Sequence, residues 1–169
     1  MKVSKLNNSK ETDAESSSIF VYEIHKQKDF PEWVDVDSLA AFLHENLKPY
    51  EDTQADIRKG IDYAMSSAEG KGGFILLVGI GQRLIGVVVM LRTGMQGYIP
   101  ENVLLFIAVE PSNRGKGVGE QLVREAITRC DGDVKLHVEY DNPAKRLYER
   151  IGFGNKYAEM RYTRRKHEE

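Results

Sequence analysis

The chain has 169 residues, of which 41% are hydrophobic and 30% charged, and its formal net charge is −2. That length suits one domain, and the near-neutral balance gives no global attraction to nucleic acid or an anionic membrane, so any anion site must be local. The only cysteine, Cys130, rules out an internal disulfide framework and fits a reducing, cytoplasmic setting.

In chain order, residues 1–18 are rich in Lys, Ser, Asn and Glu and read as a flexible tail without the apolar stretch of a secretory signal. Residues 19–24 alternate apolar and polar side chains, as a strand does. Ser38 can cap a helix whose apolar residues Leu39, Phe42, Leu43 and Leu47 recur at helical spacing, with Pro49 ending it. A second helix starts near Asp52 or Thr53 and places Ile57, Ile61, Met65 and Ala68 on one face. Residues 74–78 and 84–91 are β-rich runs joined as a hairpin, too short and too broken by glycine to span a bilayer. After a loop over 92–102, residues 103–109 form a continuous apolar run suited to a central strand. A glycine-rich loop then leads into a helix carrying Val118, Leu122, Ala126, Ile127 and Cys130. A strand over 134–140, a helix over 143–151 stopped by Gly152, and a last strand over 157–163 complete the expected order. Residues 164–169 are a short charged tail.

The loop over 109–119 reads Val-Glu-Pro-Ser-Asn-Arg-Gly-Lys-Gly-Val-Gly between a buried strand and an amphipathic helix. A helix N-terminus offers unsatisfied N–H groups and partial positive charge. Gly115, Gly117 and Gly119 let backbone amides approach phosphate oxygens, and Arg114 and Lys116 add charge. A Walker loop would need Ser or Thr after Lys116, where Gly117 stands, and the dinucleotide pattern would need its third glycine one residue later than Gly119.

Arg114, Gly117 and Gly119 match the phosphate loop of the GCN5-related N-acetyltransferase (GNAT) superfamily, which this sequence resembles. A second stretch strengthens the likeness: residues 136–153 resemble a strand and helix of that family carrying Asn, then Leu147-Tyr148, then Gly152-Phe153. The resemblance implies a single-domain α/β (α+β) acyl-CoA N-acyltransferase fold over 19–163. Its mixed, twisted sheet would splay between strands 103–109 and 134–140, with helices flanking it. It also implies acetyl-CoA as co-substrate. The pantetheine would lie along Ile107, Ala108 and Val109, and the pyrophosphate on the amides of Arg114, Gly115, Lys116, Gly117, Val118 and Gly119.

Acetylating an amine requires removing a proton from an ammonium of pKa about 10.4, stabilising an oxyanion and protonating a thiolate. The resemblance assigns the oxyanion to the Val109 N–H and the general acid to Tyr148. Asn142 matches the asparagine that contacts pantetheine, although its six-residue spacing from Tyr148 leaves Asp141 open, and Asn before Pro143 is also an ordinary helix cap. No acid lies within 103–109; Glu101, His137 and Glu139 were weighed as bases and none is assigned. Tyr50, Glu51 and Asp52, and the 92–102 loop with Met95 and Tyr98, are candidates for the acceptor side.

One cysteine and four scattered histidines show no metal-ligand spacing. The expected activity is transfer of acetyl from acetyl-CoA to a primary amine. A small molecule is favoured over a protein N-terminus or lysine, with a non-catalytic acyl-CoA sensor as the competing class. No nucleic-acid or membrane partner is expected, and a homodimer is compatible with the sequence without being demanded by it.

Overall fold

The computed structural model describes residues 2–5 and 18–164. Six strands form one sheet in sequential order: β1 (Lys2–Lys5), β2 (Ile19–Ile24), β3 (Gly73–Ile80), β4 (Arg83–Arg92), β5 (Asn102–Val109) and β6 (Val134–Leu136). Neighbours from β1 to β5 run antiparallel, and β5 and β6 run parallel. The expected tail therefore begins with a strand, because Lys2–Lys5 pairs along Phe20–Glu23 of β2.

Four helices cover the sheet: α1 (Val36–Asn46), α2 (Gln54–Ala64), α3 (Val118–Ile127) and α4 (Lys145–Ile151). The cap of α1 is Asp35 rather than Ser38. Asp35 Oδ1 accepts from Ser38 N at 2.7 Å, and Ser38 Oγ accepts from Asp35 N at 2.9 Å, a reciprocal capping box. Of the two starts open for α2, Asp52 and Thr53, Thr53 is the cap, accepting from Asp56 N at 3.2 Å.

Strand alternation divides the apolar side chains between two cores. Ile75, Leu77, Val87, Val89, Phe106 and Ala108 meet Leu39, Leu43, Ile57 and Ile61 of α1 and α2. Leu76, Val78, Ile85, Val88 and Leu104 meet Val118, Leu122, Ala126 and Tyr148 of α3 and α4. Hence β3 and β4, buried on both faces, read as continuous apolar runs.

A bulge interrupts the β4–β5 ladder: Val89 pairs with Phe106 and Met90 with Leu104, leaving Leu105 as an extra residue. Leu105 and Phe106 consequently both pack on the α1–α2 side. Gly60 makes room for them, since a Cβ there would lie 2.6 Å from Leu105 Cδ2 and 2.8 Å from Phe106 Cε2. A glycine inside α2 costs about 1 kcal/mol of helix propensity, which the close approach of the bulge offsets.

Two expectations for the C-terminal third are corrected. The strand expected over 134–140 stops at Leu136, because its ladder with β5 ends at Leu104↔Leu136. No strand forms over 157–163, where Tyr157, Met160 and Tyr162 are exposed. A three-residue β6 offers too short an edge to hold a further strand. Residues 165–169 of the charged tail lie outside the described residues.

Candidate active site

The parallel pairing of β5 with β6 covers only Asn102, Val103 and Leu104. Beyond that point β5 continues to Val109 with one edge on β4 and the other open. The amide of Glu110 donates to Ile85 O at 2.9 Å across that ladder. Alternation then turns the backbone groups of Val109 and Ile107 away from β4, into the opening. Ala108 differs from both: it is paired with Val87, and its side chain lies in the α1–α2 core.

The chain leaves β5 through a short 3-10 turn (Pro111–Asn113), which Glu110 organises. Its carboxylate accepts from Ser112 Oγ at 2.9 Å and from Asn113 Nδ2 at 2.6 Å. Gly115 and Gly117 follow with φ of 73° and 83°, a left-handed conformation that favours glycine. Gly117 caps α3 through its carbonyl, which accepts from Gln121 N at 3.0 Å. The amides of Val118, Gly119 and Glu120 are thus first-turn donors without intrahelical acceptors, at the positive end of the helix. Gly119 packs against α4 and β5, where a Cβ would sit 3.7 Å from both Leu147 Cδ2 and Val109 Cγ2. The loop is a set of free amides directly beyond the open edge, and such an arrangement suits a phosphate.

The Arg114 side chain, though exposed, is bound to backbone carbonyls of its own fold. Its Nε donates to Val109 O at 2.9 Å and a terminal guanidinium nitrogen donates to Asn46 O at 2.8 Å, tying the end of β5 to the end of α1. Lys116 is exposed.

Tyr148 lies on α4 in the same cluster as Ile107, Val109 and Val118, and is 7% exposed. Its ring meets Phe153 edge-on at 5.9 Å. The hydroxyl has no hydrogen-bond partner among the described residues and is not fully enclosed, since no fully buried side-chain oxygen or nitrogen among them lacks a partner. Burial, and secondarily the charge of Glu139, push its pKa up to about 12. The phenol is therefore a proton donor throughout the neutral range.

Asn142 is engaged locally. Its Oδ1 accepts from Ala144 N at 2.9 Å and its Nδ2 donates to Glu139 Oε2 at 3.5 Å; this is a turn ahead of α4 rather than the expected helix cap, because the helix begins only at Lys145 with Ala144 at its cap position.

On the acceptor side, Tyr50 is near enough to Asp141 and Glu139 to feel their charges, while the 92–102 loop lies at the other end of β5. Burial, then the charges of Asp141 and Glu139, raise the Tyr50 phenol above its ordinary value. The 92–102 loop joins β4 to the opposite end of β5, roughly 23 Å from Val109 at 3.3 Å per residue. Glu101 belongs to that end as well. Its carboxylate accepts from Asp133 N at 2.8 Å and Gly97 N at 3.2 Å, which excludes it as a base beside Val109. Neither the bonds of Arg114 to the carbonyls of Val109 and Asn46 nor the bulge at Leu105 follows from the sequence; only Gly60, a glycine among helix formers, hints at the latter.

A sheet splayed at a strand followed by an amide-rich loop defines a class of acyl-CoA-binding acyltransferase folds. A family model described as an acetyltransferase (GNAT) domain matches residues 71–154. The chain belongs to this GNAT family, whose members are acetyl-CoA-dependent N-acetyltransferases. No curated protein matches the sequence significantly. Among solved structures, one described as a possible acetyltransferase from Clostridium difficile 630 is 20% identical, covers 88% of this chain and 99% of its own, and has a TM-score of 0.60. Aminoglycoside N-acetyltransferase AAC(6')-Iy, solved with CoA, is 13% identical over 91% of this chain and 99% of that one, with a TM-score of 0.64. An aminoglycoside acetyltransferase from an uncultured soil metagenomic sample, solved with sisomicin, is 11% identical over 87% and 97%, with a TM-score of 0.56. These likenesses establish the shared fold. No helix among the described residues is long and apolar enough to cross a membrane, and they contain no cluster suited to a metal ion.

Proposed function

We propose that the protein transfers the acetyl group of acetyl-CoA to a primary amine of a small molecule. The observation that carries this reading is the open edge of β5 at Ile107 and Val109, continuous with the free amides after Gly115. The backbone of Ile107 and Val109 pairs with the pantetheine arm, and the amides of residues 115–119 hold the pyrophosphate, that of Arg114 being engaged with Pro111 O at 3.2 Å. The Val109 N–H then faces the oxyanion, a preorganised donor that needs no side chain. Tyr148 gives its proton to the departing thiolate, for which a buried, neutral phenol at the same opening is suited. Asn142 supports this edge through the turn into α4.

A small-molecule acceptor is supported by the two structural relatives that act on aminoglycosides, cationic polyamines. Glu139 and Asp141 beside Tyr50 supply negative charge for such an acceptor. An acyl-CoA sensor is the competing reading, favoured by the lack of an acid on β5. Incubation with acetyl-CoA and a panel of amines (spermidine, kanamycin, a lysyl peptide) separates the two. The proposal expects CoA thiol release with an acetylated small amine detected by mass. Saturable acetyl-CoA binding with no thiol release from any amine would establish the sensor instead.

A further inference from the structure

The reaction proposed above needs a group to take a proton from the acceptor ammonium, and β5 carries none. Asp141 and Glu139 both act on Tyr50, and of the two only Glu139 also acts on Tyr148. Glu101 is at the far end of β5 and its oxygens accept from Asp133 N and Gly97 N. Glu110 is held by Ser112 and Asn113, with Arg83 at 3.7 Å. Glu149 lies one turn along α4 from Lys145, its ion-pair partner at 3.7 Å.

Glu139 differs from these in position. Asn102, Val103 and Leu104 pair with Val134, Lys135 and Leu136, so Glu139 is the first acid after β6 parts from β5. Glu139 lies three residues beyond the last pair, Leu104↔Leu136, where the two strands have parted. Its backbone carbonyl accepts from Asn142 N at 3.1 Å, closing the turn that leads into α4 and Tyr148. Its side chain is exposed and makes one long bond, from Asn142 Nδ2 to Oε2 at 3.5 Å, which leaves Oε1 free. The groups that feel its charge are Tyr148 on α4, Tyr50 after α1, and Arg161, whose own ion pair is with Glu159.

We propose that Glu139 is the general base of the acetyl transfer, its carboxylate taking the proton of the acceptor ammonium where β6 has parted from β5. The inference rests on the acetyltransferase reading. Deprotonation by Glu139 leaves the amine lone pair free to form the N–C bond to the thioester carbonyl, whose π electrons pass to oxygen opposite the Val109 N–H. Return of those electrons breaks the C–S bond, and Tyr148 protonates the thiolate. The second amine proton restores Tyr148 through solvent, and the proton on Glu139 is released. The balance is ammonium plus thioester giving amide, thiol and one proton.

The test compares wild type, Glu139→Gln and Glu139→Asp, using acetyl-CoA with the best amine of the panel above. Gln keeps an oxygen for Asn142, so a purely structural role predicts wild-type kinetics. The expected result is a kcat about 100-fold lower in Glu139→Gln. The acid limb of kcat/KM should disappear, with acetyl-CoA affinity and melting temperature unchanged. Glu139→Asp should keep the acid limb at reduced kcat. An active wild type matched by Glu139→Gln in kcat and pH profile overturns the role of Glu139 alone, as does an Asp variant indistinguishable from Gln. A wild type that binds acetyl-CoA but acetylates nothing overturns the acetyltransferase reading and this role with it.

Discussion

Arg114 donates from Nε to the carbonyl of Val109, five residues earlier, at 2.9 Å, and bridges onward to Asn46 O at 2.8 Å. The motif's arginine therefore acts as a clasp that fixes where the open edge of β5 ends relative to α1. Two hydrogen bonds of this kind contribute about 1–3 kcal/mol together. Arg114→Ala should lower stability by that amount and weaken acetyl-CoA binding through a displaced loop. Arg114→Lys should not restore either, because a single ammonium lacks the fork that spans both carbonyls. Calorimetric titration with acetyl-CoA and thermal melting would check both.

The loop glycines should divide by conformation. Gly117 has φ 83°, so Gly117→Ala introduces a strain of about 1–2 kcal/mol at the start of α3 and turns the amides that follow. Acetyl-CoA affinity is expected to fall about 10-fold, the equivalent of 1.4 kcal/mol. Gly119 is helical and a Cβ there meets Leu147 and Val109 at an ordinary 3.7 Å, so Gly119→Ala should bind acetyl-CoA like wild type. Equal losses in both variants would contradict the division.

Tyr148→Phe should bind acetyl-CoA normally and turn over about 100-fold more slowly, as loss of a general acid predicts. The same residue makes a pH prediction. Its folded pKa of about 12 lies above the unfolded value near 10, because burial favours the neutral phenol. Its contribution is full below about pH 10 and is lost as pH rises through about 12. That shift corresponds to roughly 2–3 kcal/mol. Tyr148→Phe should therefore flatten the alkaline loss of stability in denaturant titrations between pH 9 and 12.

Cys130 should be a poor nucleophile despite being the only thiol. Burial, then the charge of Asp131, push its pKa up to about 11, and its thiol donates to Ala126 O at 3.3 Å. Labelling by a thiol-disulfide reagent at pH 8 should be slow in the native state and fast after unfolding, since the thiolate is the reactive form.

The strand, loop and helix start at the open edge of β5 were legible because they rest on local chain properties. Gly115 and Gly117 announce left-handed backbone, Val118 and Leu122 announce a helix, and the apolar run 103–109 announces a strand. The acceptor half depends on contacts between distant segments. The proximity of Glu139 to Tyr50 and Tyr148 joins three elements, and no spacing in the sequence encodes it. The end of β6 at Leu136 was hidden for a related reason. Residues 134–140 alternate like a strand throughout, but the ladder needs β5, which diverges after Leu104. The cap of α1 was misplaced by three residues because Asp35 and Ser38 are both good caps, and the capping box uses both.

The central claim is that acetyl-CoA occupies the open edge of β5 and the amides beyond it. Backbone amide NMR during an acetyl-CoA titration tests it most directly. Saturable shifts should concentrate at Ile107, Val109 and residues 115–120, with Ala108, whose amide faces β4, moving less. Absence of binding, or binding whose shifts fall elsewhere on the molecule, would contradict the account.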